Sequence, residues 1–514
     1  MCGFVGVFGP AARALREKLD AAADAIRHRG PDARGRYDAP DGACALGHCR
    51  LSILDLSEAA NQPMRDGDAV LVYNGEIYNH EELRSEQAND APFLTRSDTE
   101  TLLRLWRRRG REGLASCVGM YAGALYRETE HALWLFRDPL GIKPLYYARL
   151  PDSTLIFASE IKGLLALCPD LPRIGARTAL HTYLAFENYP PGVSLFEGLH
   201  LLPPGGAWQF ELTPEGRVKD GDRFQVPLPR ADPAEIPRDR EALHREVRRR
   251  ITQSVSRHLL SDVPVGLYLS GGIDSSVVAA CAAESSPGMQ AFTGYFRTGD
   301  DYYDERPLAR AVAERWHFPL RELEIGPARL AEDLDPLMYA LEEPRMGMGS
   351  FSQFVVAREA ARERKVILAG HGGDELFGGY PMFKACRLLE AGLLSGEGLR
   401  LLCQARGKEW PWIVYQLLHK FRRGQVGFAP RLLPQAKEVP DGGLFEAETA
   451  HPLQALAAYY VAVYLPGLLM VEDKISMAHS LETRLPLWSQ PLVPWALAFP
   501  PADRMPGGRL KGLW

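Results

Sequence analysis

One short loop, between a predicted buried strand and a predicted helix, constrains the fold of this 514-residue chain more than any other stretch. The strand covers residues 263–269, the loop is SGGIDSS at 270–276, and the apolar helix face begins at Val277. Glycines let a backbone approach a ligand closely, and a helix N-terminus attracts anions. The stretch therefore predicts a phosphate-binding turn in which Asp274 holds Mg²⁺ on the phosphates.

The residues of this turn indicate which kind of phosphate chemistry it serves. It lacks the lysine of a Walker A loop, so it is not built to grip β- and γ-phosphates for their transfer. A plain Gly-Gly turn without a ligand is the alternative, and the flanking strand and helix favour phosphate. The SGGxDS pattern resembles the signature of the PP-loop ATP pyrophosphatases. That resemblance implies adenylation of a carboxylate or carbonyl group with release of pyrophosphate.

A second glycine-rich turn, GHGGDELFGGY at 370–380, follows another predicted buried strand at 366–369. Strands that alternate with helices over 241–514 are typical of a doubly wound α/β domain with a parallel sheet, whose ligands lie at the carboxyl ends of the strands. We therefore expect both turns to open on one cleft, with Asp274 and Asp374 as metal ligands. The predicted ATP-binding residues are Leu269, Ser270, Gly271, Gly272, Asp274, Ser275, Ser276, Gly294, Ala369 and Gly370.

Composition excludes several classes of protein. Hydrophobic residues at 46% and charged residues at 24% describe an ordinary globular chain, and its length predicts two or three domains. A net charge of −5 gives no electrostatic reason to bind nucleic acid. The eight cysteines form no CxxC pair, which indicates a reducing, cytoplasmic location and neither a disulfide framework nor a zinc site.

No membrane or secretory segment is predicted. The apolar run at 4–8 is too short for a signal peptide. The longest apolar run, 455–471, contains Pro466 and Gly467, and a membrane span needs about 20 apolar residues. We expect a buried helix that ends near the Pro-Gly pair.

The N-terminus offers a nucleophile. Removal of Met1 leaves Cys2 with a free α-amino group, and an amine with a pKa near ~8 can act as the base for the adjacent thiol. A small buried cysteine without a role is the alternative. Polar segments that need ligands or special backbone geometry follow between apolar stretches. They are HRGPD at 28–32, GHCRLSILD at 47–55, YNGEIYN at 73–79, SDTE at 97–100 and RDPLGIKPLYY at 137–147.

Cys2 and these segments together resemble the class II, N-terminal-nucleophile glutamine amidotransferases over roughly residues 2–205. The resemblance implies an α+β domain over 2–210, with antiparallel sheets stacked between helices. It implies that Cys2 attacks the glutamine amide and that Asn74 and the Gly75 N–H form an oxyanion hole. The implied glutamine site has Arg50 on the α-carboxylate, Glu76 and Asp98 on the α-amino group, and Leu51, Ser52, Ile53 and Leu54 along the pocket.

Two of these segments have simpler explanations. Asn74-Gly75 is also typical of a type I′ hairpin turn. Asp98 is also a suitable cap for a helix that begins near Thr99. Between the two halves, residues 226–240 carry four prolines, which predicts a linker.

The order of motifs along nearly the whole chain resembles glutamine-hydrolysing asparagine synthetase, including EDKISMAHSLETRLP at 472–486. That resemblance implies hydrolysis of glutamine at Cys2 and passage of ammonia through an interdomain channel. ATP with Mg²⁺ then adenylates the side-chain carboxylate of aspartate, and ammonia attacks the acyl-adenylate. A carboxylate is a poor electrophile, so one site adenylates it to supply a leaving group. Ammonium is not a nucleophile, so the other site must release ammonia and deliver it before water protonates it. A homodimer is left open.

Three departures from that family leave the acceptor open. At His371 the family commonly has an acidic residue that takes a proton from ammonia, which an imidazole can do near neutral pH. The family's Pro-Phe-Leu-Asp ends here in Ser489, which removes a carboxylate expected near the aspartate pocket. The helical tail that carries a lysine in the family is short here. We expect one of three explanations: the chain is a truncated form, Lys474 or Lys511 takes the place of the family's tail lysine, or the synthetase activity is weak.

Three alternatives remain open, the first two because of these departures. The first keeps the mechanism and amidates another carboxylate, for example on a cell-wall or secondary-metabolite precursor. The second is a glutaminase with a degenerate ATP domain. The third is a tRNA-modifying PP-loop enzyme, against which the acidic charge balance argues.

Overall fold

The computed structural model describes residues 2–87, 92–186, 188–189, 191–229, 231–297, 304–345, 349–392, 395–396, 452–500, 504–505 and 509–513. Every predicted site residue lies within these ranges. Met1, whose removal would free the amine of Cys2, lies outside them.

Two six-stranded antiparallel sheets stack face to face in the N-terminal half, as the α+β prediction requires. Their orders are β10-β8-β9-β1-β3-β2 and β12-β11-β7-β6-β5-β4. Phe4, Phe8 and Val72 belong to the apolar core between them, and helices pack on the outer faces. The strands are β1 (Gly3–Phe8), β2 (Ala33–Asp38), β3 (Cys44–Arg50), β4 (Met64–Asp66), β5 (Ala69–Ile77), β6 (Gly119–Arg127), β7 (Ala132–Arg137), β8 (Tyr146–Arg149), β9 (Leu155–Ala158), β10 (Leu199–Leu201), β11 (Gly206–Leu212) and β12 (Val218–Gln225). The helices are α1 (Ala12–Leu15), α2 (Leu19–Ala25), α3 (His80–Ser85), α4 (Asp98–Arg109), α5 (Ile161–Leu167) and α6 (Arg177–Phe186).

The hairpin of β11 and β12 belongs to the N-terminal half, because β11 pairs with β7 and β12 continues to Gln225. The predicted end of this domain at residue 210 is therefore too early. The side chains of β12 are mostly polar and exposed, so the sequence offers no apolar alternation to reveal the strand. The Pro-rich segment 226–240 follows, with Val226 and Ile236 buried.

A five-stranded parallel sheet of order β15-β14-β13-β16-β17 forms the centre of the C-terminal half, in agreement with the predicted doubly wound domain. The strands are β13 (Val265–Tyr268), β14 (Ala291–Tyr295), β15 (Leu320–Glu324), β16 (Val366–Leu368) and β17 (Glu482–Arg484). The helices are α7 (Arg240–His258), α8 (Ile273–Ser285), α9 (Arg306–Trp316), α10 (Pro327–Leu341), α11 (Gly349–Ala360), α12 (Gly373–Phe377), α13 (Pro381–Ala391), α14 (Pro452–Tyr459), α15 (Leu465–Met477) and α16 (Leu492–Leu497). Because β13 and β16 are neighbours, the two glycine-rich turns that follow them emerge side by side.

The apolar helix predicted to end near Pro466 continues past it. A π-helical segment, Tyr460–Tyr464, joins α14 to α15, and Pro466 lies in the first turn of α15, where a missing N–H is tolerated. Asn188 of the N-terminal half donates a hydrogen bond to the Val463 carbonyl at 2.8 Å. The expected helix end is therefore wrong, because the π segment carries the helix across the proline.

Among the described helices, the continuous stretch Leu456–Met477 is long and apolar enough to cross a membrane. Of its most apolar part, 56% is buried inside the protein, and its last turns carry buried Glu472, Asp473 and Lys474. These features fit a helix that packs within the protein core.

The two halves meet in a continuous buried interface. The core that packs on the parallel sheet also contains Leu51 of the N-terminal half. Next to it, Arg29 forms ion pairs with Glu160 and with Asp473 of α15, both at 2.8 Å. Lys143 contacts the other oxygen of Asp473 at 3.1 Å. Charges this deeply buried hold the halves in one arrangement, because breaking a pair leaves an uncompensated charge.

Candidate active sites

Cys2 precedes the central strand β1 and is 8% exposed. Its N–H donates to Asn74 Oδ1 at 3.0 Å, and Arg29 Nε donates to its carbonyl at 3.1 Å, so its backbone is held on both sides. Burial raises the pKa of the Cys2 thiol above its ordinary value. The Leu51 N–H and the Arg50 charge act on that pKa in the opposite direction. The surroundings of the thiol thus include groups that stabilise a thiolate.

Asn74 and Gly75 lie inside strand β5, where they pair with β6. The alternative of a type I′ hairpin turn is therefore wrong. A Cβ atom on Gly75, whose φ is 157°, would lie 2.1 Å from the Met120 carbonyl oxygen, so no side chain fits there. Asn74 Nδ2 is buried and has no hydrogen-bond partner among the described residues. That N–H group is free to donate to a developing oxyanion beside Cys2.

Asp98 is the first residue of α4, and the cap of that helix is Ser97, whose side chain accepts from a first-turn N–H. The alternative of Asp98 as the cap is therefore wrong. Its Oδ2 accepts hydrogen bonds from the Tyr73 hydroxyl at 3.0 Å and from the Ile77 N–H at 2.9 Å. These bonds fix the carboxylate at the end of β5, next to Glu76.

Glu76 is the second carboxylate of this pair and is 5% exposed. Burial, and then the nearby charges of Asp98 and Glu482, raise the pKa of Glu76 well above its ordinary value. Two buried carboxylates that repel each other form a favourable site for a cation. This arrangement suits the predicted contact with the α-amino group of glutamine.

Arg50 is buried, and both of its Nη atoms donate to the loop that follows β3. The predicted fork to the α-carboxylate of glutamine stays a prediction. Leu51, Ile53 and Leu54 are buried beside it, and Ser52 is partly exposed. The acceptors of the Arg50 guanidinium are the Ser57 carbonyl, Asn61 Oδ1, the Leu54 carbonyl and the Asp55 carbonyl.

The turn at 270 has the geometry that its residues predict. Ser270 Oγ accepts from the Gly272 N–H at 3.2 Å and lies 3.1 Å from Ser275 Oγ, so the hydroxyls line the start of α8. Gly271 has a φ of 79°, and a Cβ there would lie 2.6 Å from the Ala309 nitrogen. The turn thus needs a glycine for both conformation and space.

Both glycine-rich turns open on one cavity of about 600 Å³, as predicted. Gly271 and Ser276 are absent from its described lining, and Ser276 Oγ instead donates to the Gly272 carbonyl. The predicted residues that do line it are Leu269, Ser270, Gly272, Asp274, Ser275, Gly294, Ala369, Gly370, His371 and Asp374. Lining residues that the sequence reasoning missed include Tyr268, Gln353, Glu375 and Tyr380. Glu375 and Tyr380 belong to the quoted motif at 370–380, whereas Gln353 has no local signal.

Lys511 lies between the two predicted metal ligands. Its Nζ is 2.9 Å from Asp274 Oδ1 and 2.7 Å from Asp374 Oδ1. Burial and then Asp374 raise the pKa of Asp274 to about 6, and Lys511 opposes them. No group of three or more metal-ligating side chains occurs in the described part of the chain. Because one cation, the Lys511 ammonium group, contacts both Asp274 and Asp374, the two carboxylates are close enough to share Mg²⁺ as well. Mg²⁺ takes its remaining ligands from phosphates and water.

His371 faces a buried carboxylate at the other side of the cavity. Its Nε2 lies 3.3 Å from Gln353 Nε2 and 3.8 Å from Glu472 Oε2. Glu472 Oε1 accepts from the Thr483 hydroxyl at 2.7 Å, and Oε2 has no hydrogen-bond partner among the described residues. An imidazole next to a buried carboxylate is suited to take up a proton.

Two residues considered from the sequence lie away from the cavity. Ser489 accepts a hydrogen bond from the Ser254 hydroxyl at 3.1 Å and lines a separate pocket of about 30 Å³. Its lack of a carboxylate therefore does not alter the lining of the large cavity. Lys474 is buried against Glu342 at 2.7 Å, so Lys511 is the one of the two lysines that reaches the nucleotide turns.

Two family models match the two halves of the chain. A family model described as a glutamine amidotransferase domain matches residues 1–217, and one described as asparagine synthase matches residues 246–514. A glutamine phosphoribosylpyrophosphate amidotransferase structure from Bacillus subtilis, in complex with ADP and GMP, is 18% identical, with a TM-score of 0.34 over 59% of this chain and 68% of that one.

Three curated relatives show how far the likeness extends. Asparagine synthetase [glutamine-hydrolyzing] 1 of Bacillus subtilis is 35% identical over 75% of this chain, which spans 60% of that relative. A putative asparagine synthetase of Mycobacterium tuberculosis is 33% identical over 99% of this chain and 82% of its own length. Amidase chry2 of Gibberella zeae is 27% identical over 96% of this chain and 80% of its own length. The chain therefore belongs to the asparagine synthase family of ligases and carries a glutamine amidotransferase domain ahead of the synthetase domain.

Proposed function

We propose that the protein transfers the amide nitrogen of glutamine to a carboxylate that it first adenylates with ATP, releasing glutamate, AMP and pyrophosphate. The observation that carries this proposal is the single cavity onto which the turns at 270 and 370 both open, in a chain whose other half holds Cys2 beside Asn74. Aspartate is the first acceptor to test, since it is the substrate that the family name implies.

At the first site, Cys2 Sγ attacks the side-chain amide carbon of glutamine. Asn74 Nδ2 and the Gly75 N–H stabilise the oxyanion that forms. Met1 removal would leave an amine at Cys2 that takes the thiol proton and passes it to the leaving ammonia. Glu76 and Asp98 hold the α-ammonium group, which selects glutamine from other amides.

At the second site, the turn at 270 holds the phosphates with its N–H groups and hydroxyls. Asp274 and Asp374 would hold Mg²⁺, which neutralises the charge of the leaving pyrophosphate. Lys511 supplies a second positive charge at the same place. His371 takes a proton from the attacking ammonia, and the Glu472 carboxylate stabilises the imidazolium that results.

A second acceptor class is favoured by the charge of the cavity. In its described lining, Lys511 is the only lysine or arginine, and it already contacts two carboxylates. The same lining contains Glu305 and Glu375 in addition to Asp274 and Asp374. The second carboxylate of aspartate has no free cation there, so a mono-carboxylate precursor is the alternative acceptor.

The deciding experiment is acceptor-dependent pyrophosphate release with ATP, Mg²⁺ and glutamine, followed by mass spectrometry of the product. Aspartate and a panel of mono-carboxylates are compared at equal concentration. Asparagine as product supports the first acceptor, and amidation of another acid with no response to aspartate supports the second. Absence of ATP–pyrophosphate exchange with every acid contradicts the proposal and leaves a glutaminase with a degenerate ATP domain.

A further inference from the structure

The strand β17 lies at the edge of the parallel sheet and at the boundary between the two halves. Its three side chains, Glu482, Thr483 and Arg484, are all buried and alternate between two sides, as in any strand. Thr483 donates to Glu472, which faces His371 in the synthetase cavity. Glu482 and Arg484 lie on the opposite side of the strand, towards the glutamine site.

Arg484 contacts both halves of the protein. Its Nε donates to Glu482 Oε1 at 2.6 Å, and its Nη1 donates to the carbonyls of His258 and Leu260 at 2.8 and 2.5 Å. Its Nη2 lies 3.5 Å from Oε1 of Glu76 in the glutamine site. The synthetase half thus fixes this guanidinium and holds it against a carboxylate of the glutaminase half.

Glu76 needs such a cation because it is buried among like charges. Asp98 and Glu482 both lie close enough to disfavour its ionised form. A carboxylate without a neighbouring cation in such a place takes up a proton and loses its attraction for an ammonium group. In agreement, Arg484 lowers the pKa of Glu76, while burial and the two carboxylates raise it.

We propose that Arg484 is a positioning residue of the glutamine site, which holds the Glu76 carboxylate in place to receive the α-ammonium group of glutamine. The glutamine site is then completed by a residue of the synthetase half. The inference rests on the proposed glutaminase function of Cys2 and adds to it a determinant of substrate selection.

The test compares glutamine with glutaramate, which is glutamine without its amino group. In Arg484→Gln, the KM for glutamine should rise at least about tenfold, the loss expected for a weakened contact between charged groups, with a smaller change in kcat. The inhibition constant of glutaramate should stay unchanged, because glutaramate makes no contact with Glu76. Arg484→Lys should restore part of the affinity for glutamine.

The matched control is Arg257→Gln, because Arg257 also joins the two halves, through Glu82 at 2.9 Å, but at the surface. It should leave both constants unchanged. If Arg484→Gln does not fold, Arg484→Lys serves in its place, because it keeps the buried charge beside Glu482; it should raise the KM for glutamine by a smaller factor and leave the inhibition constant of glutaramate unchanged.

Two outcomes would overturn the inference: an unchanged KM for glutamine, or an equal loss of affinity for glutamine and glutaramate. These outcomes differ from failure of the proposed function. A wild-type chain that does not hydrolyse glutamine contradicts the glutaminase, whereas a wild-type chain that hydrolyses it with unaltered variants contradicts only the role of Arg484.

Discussion

Asn74 uses the two ends of its side-chain amide differently. Oδ1 accepts from the Cys2 N–H, which fixes the orientation of the amide, while Nδ2 is buried without a partner among the described residues. An unsatisfied buried N–H group costs about 1–3 kcal/mol. That cost is recovered when an oxyanion forms, so the contact favours the transition state over the free enzyme.

The change Asn74→Ala tests this use of the amide. We expect the kcat of glutamine hydrolysis to fall by about 10²–10³, as for loss of one oxyanion-hole donor, with little change in KM. Glutamate release is the measurement, and synthesis from added ammonium chloride is the internal control. Cys2→Ala should abolish glutamine use and likewise spare synthesis from ammonia. Loss of both activities in either variant would contradict two separable sites.

His371 offers a second test at the scale of one residue. Replacement by Asn removes the proton acceptor but keeps a similar size. Amide formation from ammonia should fall by about 10²–10⁴, the usual contribution of a general base. ATP–pyrophosphate exchange with the acceptor should persist, because adenylation precedes ammonia attack. A parallel loss of exchange would assign His371 to acceptor or nucleotide binding instead.

Among the elements, those with a strong local pattern were predictable and those fixed by distant contacts were not. β13 and β16 follow from buried apolar runs next to glycine-rich turns, so their ends agree with the sequence within about two residues. The helix after the first turn was also predicted, but α8 begins at Ile273, inside the predicted loop and before the apolar face at Val277. The helix continues past Pro466 through a π segment, which no local pattern indicates. In the sites, motif residues were identified, whereas the contacts of Lys511 and Arg484 join parts of the chain far apart in sequence.

His258, at the end of α7, gives a pH-dependent prediction. It is buried against Tyr78, and burial lowers the pKa of His258 to about 3. The unfolded chain binds a proton at this residue below about pH 6.5, and the folded chain does not. The stability that His258 contributes is therefore full above pH 6.5 and is lost as the pH falls towards 3.

The change His258→Gln should make stability less dependent on pH. Between pH 7.5 and 5.5 the wild type should lose about 1 kcal/mol more unfolding free energy than the variant, from the linkage of one proton. Urea unfolding at the two pH values measures the difference. Equal pH slopes for wild type and His258→Gln would contradict a neutral buried histidine.

At the scale of the whole molecule, Asp473 joins the halves through Arg29 and Lys143. Asp473→Asn removes the carboxylate that Lys143 contacts and leaves Arg29 with Glu160 alone, and breaking a buried ion pair costs about 3–5 kcal/mol. We expect a lower melting temperature, and a larger loss of glutamine-dependent than of ammonia-dependent synthesis, because Arg29 also holds the Cys2 carbonyl. Asp66→Asn, which removes the exposed ion pair with Arg107, should change neither. An unaltered ratio of the two syntheses would contradict the link to Cys2.

The alternation of side chains along β17 has a consequence for recombining such enzymes. Arg484 contacts Glu76 of one half, while its neighbour Thr483 supports Glu472 of the other. A chimera that joins the first 225 residues of this chain to the second half of a different relative would receive a foreign β17. The glutamine site of such a chimera would be complete only if the foreign strand carried an arginine at the position of Arg484. Shuffling of donor and acceptor modules is therefore limited by one strand of the acceptor module, β17, whose side chains contact both sites.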